Sequence, residues 1–128
     1  MQTRRHLKSA IHTCFKLSPE GDCFKSPFGP IGKWDVSKVV DMSHMFSYAK
    51  SFDSDLSTWD VSSADAMRSM FFYAKAYNGD LSKWDVSSVK DMRGMFLAAR
   101  SFNGDISKWD ISRVAIMDYM FLGANSFK

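Results

Sequence analysis

Aspartate carries the most regular chemical pattern in this chain. Asp35, Asp60, Asp85 and Asp110 stand 25 residues apart, and Asp55, Asp80 and Asp105 repeat the same step. Stacked in register, such carboxylates repel one another unless a cation or hydrogen bonds offset their charge. A calcium ladder is one chemistry open to them, but the glycine-rich nonapeptide of calcium-binding β-rolls is absent. The alternative is structural, each carboxylate accepting backbone N–H bonds in a turn or cap. His6, His12 and His44 are the histidines, and Cys14 and Cys23 the cysteines. A zinc site on His12, Cys14 and Cys23 lacks a fourth ligand. Ser-His-Asp groupings can be drawn from the many serines and aspartates, yet a catalytic set should interrupt a repeat, and these residues define it. The sequence therefore predicts a non-enzyme, with no catalytic residue, metal or cofactor.

The 128 residues are 45% apolar and 24% charged, which suits one domain with a real core and excludes a disordered or cysteine-scaffold chain. No apolar run is longer than that from Met70 to Ala74, which is too short for a transmembrane helix. Residues Gln2 to His6 offer no apolar stretch for a secretory signal, so no targeting segment is expected within the chain. The net charge of +3 is uneven. Arg4, Arg5, Lys8, Lys16, Lys25 and Lys33 face only Glu20 and Asp22 in residues 1–33, whereas residues 34–128 are close to neutral. The body thus lacks the basic stripe of a nucleic-acid binder. The basic N-terminal stretch reads as a solvated helix face, with an acidic partner or anionic headgroups as the less expected reading.

Self-similarity is the dominant signal. Trp34, Trp59, Trp84 and Trp109 are spaced by 25 residues, and each opens Trp-Asp-Val/Ile-Ser. The series Met42-Met45-Phe46-Ala49-Phe52 recurs as Met67-Met70-Phe71-Ala74-Tyr77, Met92-Met95-Phe96-Ala99-Phe102 and Met117-Met120-Phe121-Ala124-Phe127. Residues 34–128 are four such units, the last incomplete. Val39, Met42, Met45, Phe46 and Ala49 have the spacing of one helix face. Ser37, Ser62, Ser87 and Ser112 precede it as N-caps, and Asn78-Gly79 and Asn103-Gly104 follow it as terminators. Asp80 to Val86 suits a short strand, with a bend between Leu81 and Trp84 if both are core. Each unit is thus expected to be a short strand or turn followed by a helix of about three turns.

The unit Trp-Asp-Val-Ser-x-Val-x-Asp-Met-x-x-Met-Phe-x-x-Ala-x-x-Phe-Asn-Gly-Asp-Leu-Ser resembles the BspA-type leucine-rich-repeat family of bacterial surface proteins and phytoplankton proteins. The likeness spans residues 28–128, with departures at Ala64, Ala66, Ile116 and Ser54. It implies an α/β leucine-rich-repeat solenoid and a role in adhesion or protein–protein contact, and it brings no catalytic residues.

Residues 1–33 read as an N-terminal cap. Leu7, Ala10, Ile11, Cys14 and Phe15 have amphipathic-helix spacing, ended by Ser18-Pro19-Glu20-Gly21-Asp22. Gly29 to Trp34 aligns with Gly79 to Trp84 as a half-repeat, with Pro30 suited to an outermost strand. A Cys14–Cys23 bridge is expected to tie this cap together in an oxidising compartment, such as the cell surface or an organelle lumen, with two buried thiols as the alternative.

The partner surface is sought in what varies. A helical projection turns the fourteenth position outward, where Ser47, Phe72, Leu97 and Leu122 stand. Ile116, Tyr119 and Leu122 form a second apolar line in the last unit. Phe72, Leu97, Leu122, Ile116 and Tyr119 are thus the expected contacts for a protein partner. The alternative is a structural subunit held in a larger assembly, such as an algal photosynthetic membrane complex.

Overall fold

The chain is described by a computed structural model covering residues 1–18 and 20–128. It opens with one α-helix, α1 (Arg4–Leu17), whose Thr3 hydroxyl accepts from the His6 N–H as an N-cap. Leu7, Ala10, Ile11 and Cys14 are the buried stripe of α1. Pro19, one of the residues expected to end this helix, lies outside the described residues. A single 3₁₀ turn, Ile31–Lys33, leads into four coils at residues 34–58, 59–83, 84–108 and 109–128.

The coils contain no helix. Among the described residues, extended pairing is limited to isolated parallel bridges linking Asp41 to Ala66, Ala66 to Asp91 and Asp91 to Ile116. The expected α/β leucine-rich-repeat solenoid, with a helix and a short strand per unit, is therefore overturned. Each coil is instead a chain of four-residue turns. In coil 2 the N–H groups of Ala64, Met70, Ala74 and Tyr77 donate to the carbonyls of Val61, Met67, Phe71 and Ala74. The first and fourth residues of these turns all point inward and are buried. An inward residue every third or fourth position is also the signature of one helix face, which is why the periodicity misleads. Backbone dihedrals separate the two. His44, Ser69, Gly94 and Tyr119 have φ between 53° and 61°, and Tyr48, Tyr73, Ala98 and Gly123 between 58° and 76°. A left-handed third residue marks a type II turn and cannot occur within an α-helix.

The alternate amides reach the next coil. Met67, Ser69, Phe71 and Tyr73 donate to the carbonyls of Asp91, Arg93, Met95 and Leu97 at 2.8–3.0 Å, and coils 1 and 3 do the same with their successors. The Arg68 N–H goes to the Ser43 hydroxyl, so every amide from Met67 to Ala74 has a partner. In return, Asp65, Lys90 and Ala115 donate to Val40, Asp65 and Lys90. The indoles of Trp59, Trp84 and Trp109 donate to the carbonyls of Ile31, Leu56 and Leu81, each 28 residues back.

This register stacks the core in columns. Phe46, Phe71, Phe96 and Phe121 lie nearly parallel at centroid distances of 5.5, 5.6 and 5.7 Å. Phe52, Tyr77, Phe102 and Phe127 form a second column beside them. Leu81 and Trp84 are both buried because a turn, rather than a strand, joins them. The helix α1 closes the first coil, with Phe15 against Phe46 and Phe52. A Cys14–Cys23 disulfide ties it to the segment leading into the repeats. The half-repeat Gly29 to Trp34 forms no outermost strand, since Pro30 leads directly into the 3₁₀ turn.

Two predictions arise from this packing. The Cys14–Cys23 bridge closes a short loop, so Cys14→Ser with Cys23→Ser should lower unfolding free energy by about 2–3 kcal/mol, measured by denaturant titration. The Tyr77 hydroxyl is buried among the rings without a hydrogen-bond partner. Burial raises its pKa, so it stays neutral, and the other three coils carry Phe at this place. Tyr77→Phe should therefore stabilise the chain by about 1 kcal/mol and raise the melting temperature by a few degrees.

Candidate functional site

The acidic rows are absorbed by local structure. Asp35, Asp60, Asp85 and Asp110 each accept the N–H of the serine two residues on, and so do Asp55, Asp80 and Asp105. Ser37, Ser62, Ser87 and Ser112 are thus partners in Asp-led turns, not helix N-caps. The serine hydroxyl, and then the serine N–H, hold each of the seven carboxyls below the usual range. Where a neighbouring aspartate pushes the other way, as Asp85 does on Asp60, its effect is the weaker one. Among the described residues no three His, Cys, Asp or Glu side chains are grouped to hold a metal ion. The zinc grouping is closed as well, because both cysteines are in the disulfide.

Asp41, His44 and Ser47 bring a Ser, a His and an Asp near one another. The His44 Nδ1 lies 3.3 Å from the Ser47 hydroxyl, but that hydroxyl donates to the Ser69 carbonyl at 2.7 Å. Its proton points away from the imidazole. Asp41 accepts from the Ser43 N–H and faces Arg4 at 3.8 Å, with no bond to His44. Partial burial, Arg4, Lys8 and Arg68 together lower the His44 pKa. Such a trio is arranged to hold turns together, not to activate a nucleophile.

A row of aromatic and aliphatic side chains runs along one edge of the stack. Tyr48, Phe72 and Tyr73 cluster with ring centroids 5.1–5.6 Å apart, and the Lys75 ammonium sits 5.4 Å from the Tyr73 ring. The bonds from Tyr48 to Phe72, Tyr73 to Leu97 and Ala98 to Leu122 place successive members side by side. Tyr48 is 61% exposed and Leu122 60%, whereas Phe72 and Leu97 are half-buried. The projection that turned position fourteen squarely outward assumed a helix. In a type II turn that position lies beside the left-handed residue, which carries the more exposed side chain at Tyr48. Sequence reasoning missed Tyr48 and Tyr73; their recurrence next to the Phe72 and Leu97 positions was the available signal. Tyr119 is 65% exposed at a left-handed turn position, while Ile116 is half-buried at the bridge to Asp91. These two are therefore not a continuous line with Leu122 on a helix face.

The last coil also shows its core. Met117 is 38% exposed, whereas Met42, Met67 and Met92 are fully buried, and Ile111, Phe121 and Phe127 are likewise uncovered in part. The opposite end is closed by cations. Arg4 donates to the Ser43 carbonyl at 2.8 and 3.1 Å, and the Lys8 ammonium to the carbonyls of His44 and Met45. Two of the basic residues read as a solvated face are thus bound to the backbone edge of coil 1. No helix among the described residues is long and apolar enough to cross a membrane.

Residues 19–128 match the family described as "Mycoplasma protein of unknown function, DUF285", and the chain belongs to that family. No curated protein matches the chain. No solved structure matches it either.

The lowered carboxyl pKa values have a definite sign. An unfolded aspartate titrates near ~3.9, so the Asp-led turns contribute stability that is fully present above about pH 4 and is lost as pH falls through the lowered folded values. Melting temperature should therefore fall as acid is added below that point. Ser→Ala at Ser37, Ser62, Ser87 and Ser112 should flatten this acid limb, as followed by thermal melts across pH.

Proposed function

We propose that the chain is a non-enzymatic module that binds a protein partner along the ridge of Tyr48, Phe72, Tyr73, Leu97 and Leu122. The observation that carries this reading is a contiguous row of aromatic and aliphatic side chains, exposed at Tyr48 and Leu122 and half-buried between them, along one edge of a stack whose aspartate rows are committed to its own turns. Aromatic side chains supply large contact area at low entropic cost, and a patch of this kind marks contact surfaces. The resemblance to BspA-type surface repeats supports an adhesive or protein-contact role. The disulfide supports an oxidising setting, at the cell surface or in an organelle lumen.

The test is a capture experiment from a native extract with the unchanged chain and two variants. Phe72→Asp with Leu122→Asp, and Tyr48→Asp with Leu122→Asp, should both lose the retained partner by tenfold or more while circular dichroism stays unchanged. Equal recovery by the folded variants overturns the reading. A partner that co-purifies one-to-one through gentle detergent would identify the chain as a structural subunit instead of an adhesive module.

A further inference from the structure

The near-neutral charge of residues 34–128 conceals how that charge is distributed around the coils. The stretches Met42 to Ser51, Met67 to Ala76 and Met92 to Ser101, which carry the ridge, contain no Asp or Glu. Their basic side chains are Lys50, Arg68, Lys75, Arg93 and Arg100, beside His44. Lys50, Lys75 and Arg100 hold one place of the repeat, and Arg68 and Arg93 another, so the register sets them in two rows. In chain order the ridge residues lie between the rows. The Lys75 ammonium sits 5.4 Å from the Tyr73 ring, where one row meets the ridge. Coil 1 has Ser43 at the place of Arg68, and there the Arg4 guanidinium is bound to the Ser43 carbonyl. Partial burial, then the charges of Arg4, Lys8 and Arg68, lower the pKa of His44 on this flank.

Like charges stacked coil on coil repel, and the two kinds of charged row deal with this differently. Each aspartate is bound to the serine of its own turn. The cations have no such offset. Among the described residues the ion pair found is Arg4 with Asp41 at 3.8 Å, so Lys50, Arg68, Lys75, Arg93 and Arg100 lack a carboxylate partner. The Arg93 Nε is buried with no hydrogen-bond partner. Nor does stacking require these cations, since coil 4 carries Asp118 and Asn125 at the places of Arg93 and Arg100 and makes the same crossing bonds with coil 3. We propose that this face binds an acidic segment of the partner protein, its carboxylates pairing with the two basic rows while its apolar side chains lie on the ridge. The proposal rests on the ridge reading and adds the chemistry of the partner. Charge complementarity selects the acidic segment. Leu97 and Leu122 favour a polypeptide over a single-stranded nucleic acid, because an aliphatic side chain gives a base no ring to stack on.

The test applies the labelled chain to an array of short synthetic peptides of random sequence, with single-stranded DNA as a second probe. Bound peptides should be rich in Asp and Glu together with apolar residues, and their signal should fall as salt is raised from about 50 to about 300 mM. Lys75→Glu with Arg100→Glu should weaken the acidic peptides tenfold or more. Lys83→Glu with Lys108→Glu makes the same change in net charge on exposed residues at another place of the repeat, and should leave them bound. Binding without preference for acidic peptides overturns the proposal, and so does equal loss in the two charge variants or tighter binding to the DNA. Tyr48→Ala with Leu122→Ala separates the two readings. Loss of charge-blind binding in that variant keeps the ridge and overturns the acidic partner, whereas acidic binding unchanged by it overturns the ridge reading and this proposal together. Each variant is scored with its tryptophan near-ultraviolet signal intact; should Lys75→Glu with Arg100→Glu lose that signal, Lys50→Glu with Arg100→Glu is judged by the same outcomes.

Discussion

Backbone amides in the coils must find partners without a helix or a sheet to provide them, and the solution governs the whole molecule. In coils 1 to 3, three of the eight amides from the first methionine to the alanine close four-residue turns within the coil, and four cross to the next coil. The remaining amide bonds a side chain: the Asp41 or Asp91 carboxylate in coils 1 and 3, the Ser43 hydroxyl in coil 2. A turn can direct its amides in this alternating way only if its third residue is left-handed, and each coil meets that demand twice, at His44 and Tyr48 in the first. Such a conformation costs a residue other than glycine roughly 1–2 kcal/mol. The cost is offset because an unpaired buried amide would cost a comparable amount at each position.

From that pattern the core follows. Turns that bury their first and fourth residues create columns of identical side chains, since the crossing bonds lock neighbouring coils in one register. Nearly parallel, stacked phenyl rings at 5.5–5.7 Å are the outcome, with methionine filling the irregular space beside them. The indoles of Trp59, Trp84 and Trp109 each add a bond to a carbonyl 28 residues back, so these tryptophans both pack and clamp. The acidic rows tolerate their mutual proximity because each carboxylate is bound to the serine of its own turn.

At each junction four backbone bonds run forward and one runs back around the left-handed turns, so coil 1 presents an edge made mostly of carbonyls to α1. A cationic helix is the natural cover for an acceptor edge, which gives the charge of residues 1–33 a structural use. Arg4 and Lys8 reach carbonyls on coil 1, while Leu7, Ala10 and Ile11 supply the apolar seat. The ridge is a separate product of the same geometry, because the two middle residues of each second turn lie at the surface, as Tyr48 and Leu122 do most openly.

The repeat length, the inward residues, the cap helix and the cysteine pair were all legible in the sequence, since burial and spacing leave a direct imprint on residue type. Met42, Met45, Phe46 and Ala49 were read as core and are core. The conformation joining them was not legible, because turns repeating about every four residues and a helix of 3.6 residues per turn place apolar residues at the same intervals. What separates them is the sign of φ at His44 and Tyr48, residues whose types do not demand a left-handed backbone. That sign is selected by the neighbouring coil, whose carbonyls must be met. The chain by itself determined which side chains are hidden and how often the pattern returns; only the stacked structure decided the path of the backbone between them, because the bonds that choose it join residues far apart in sequence.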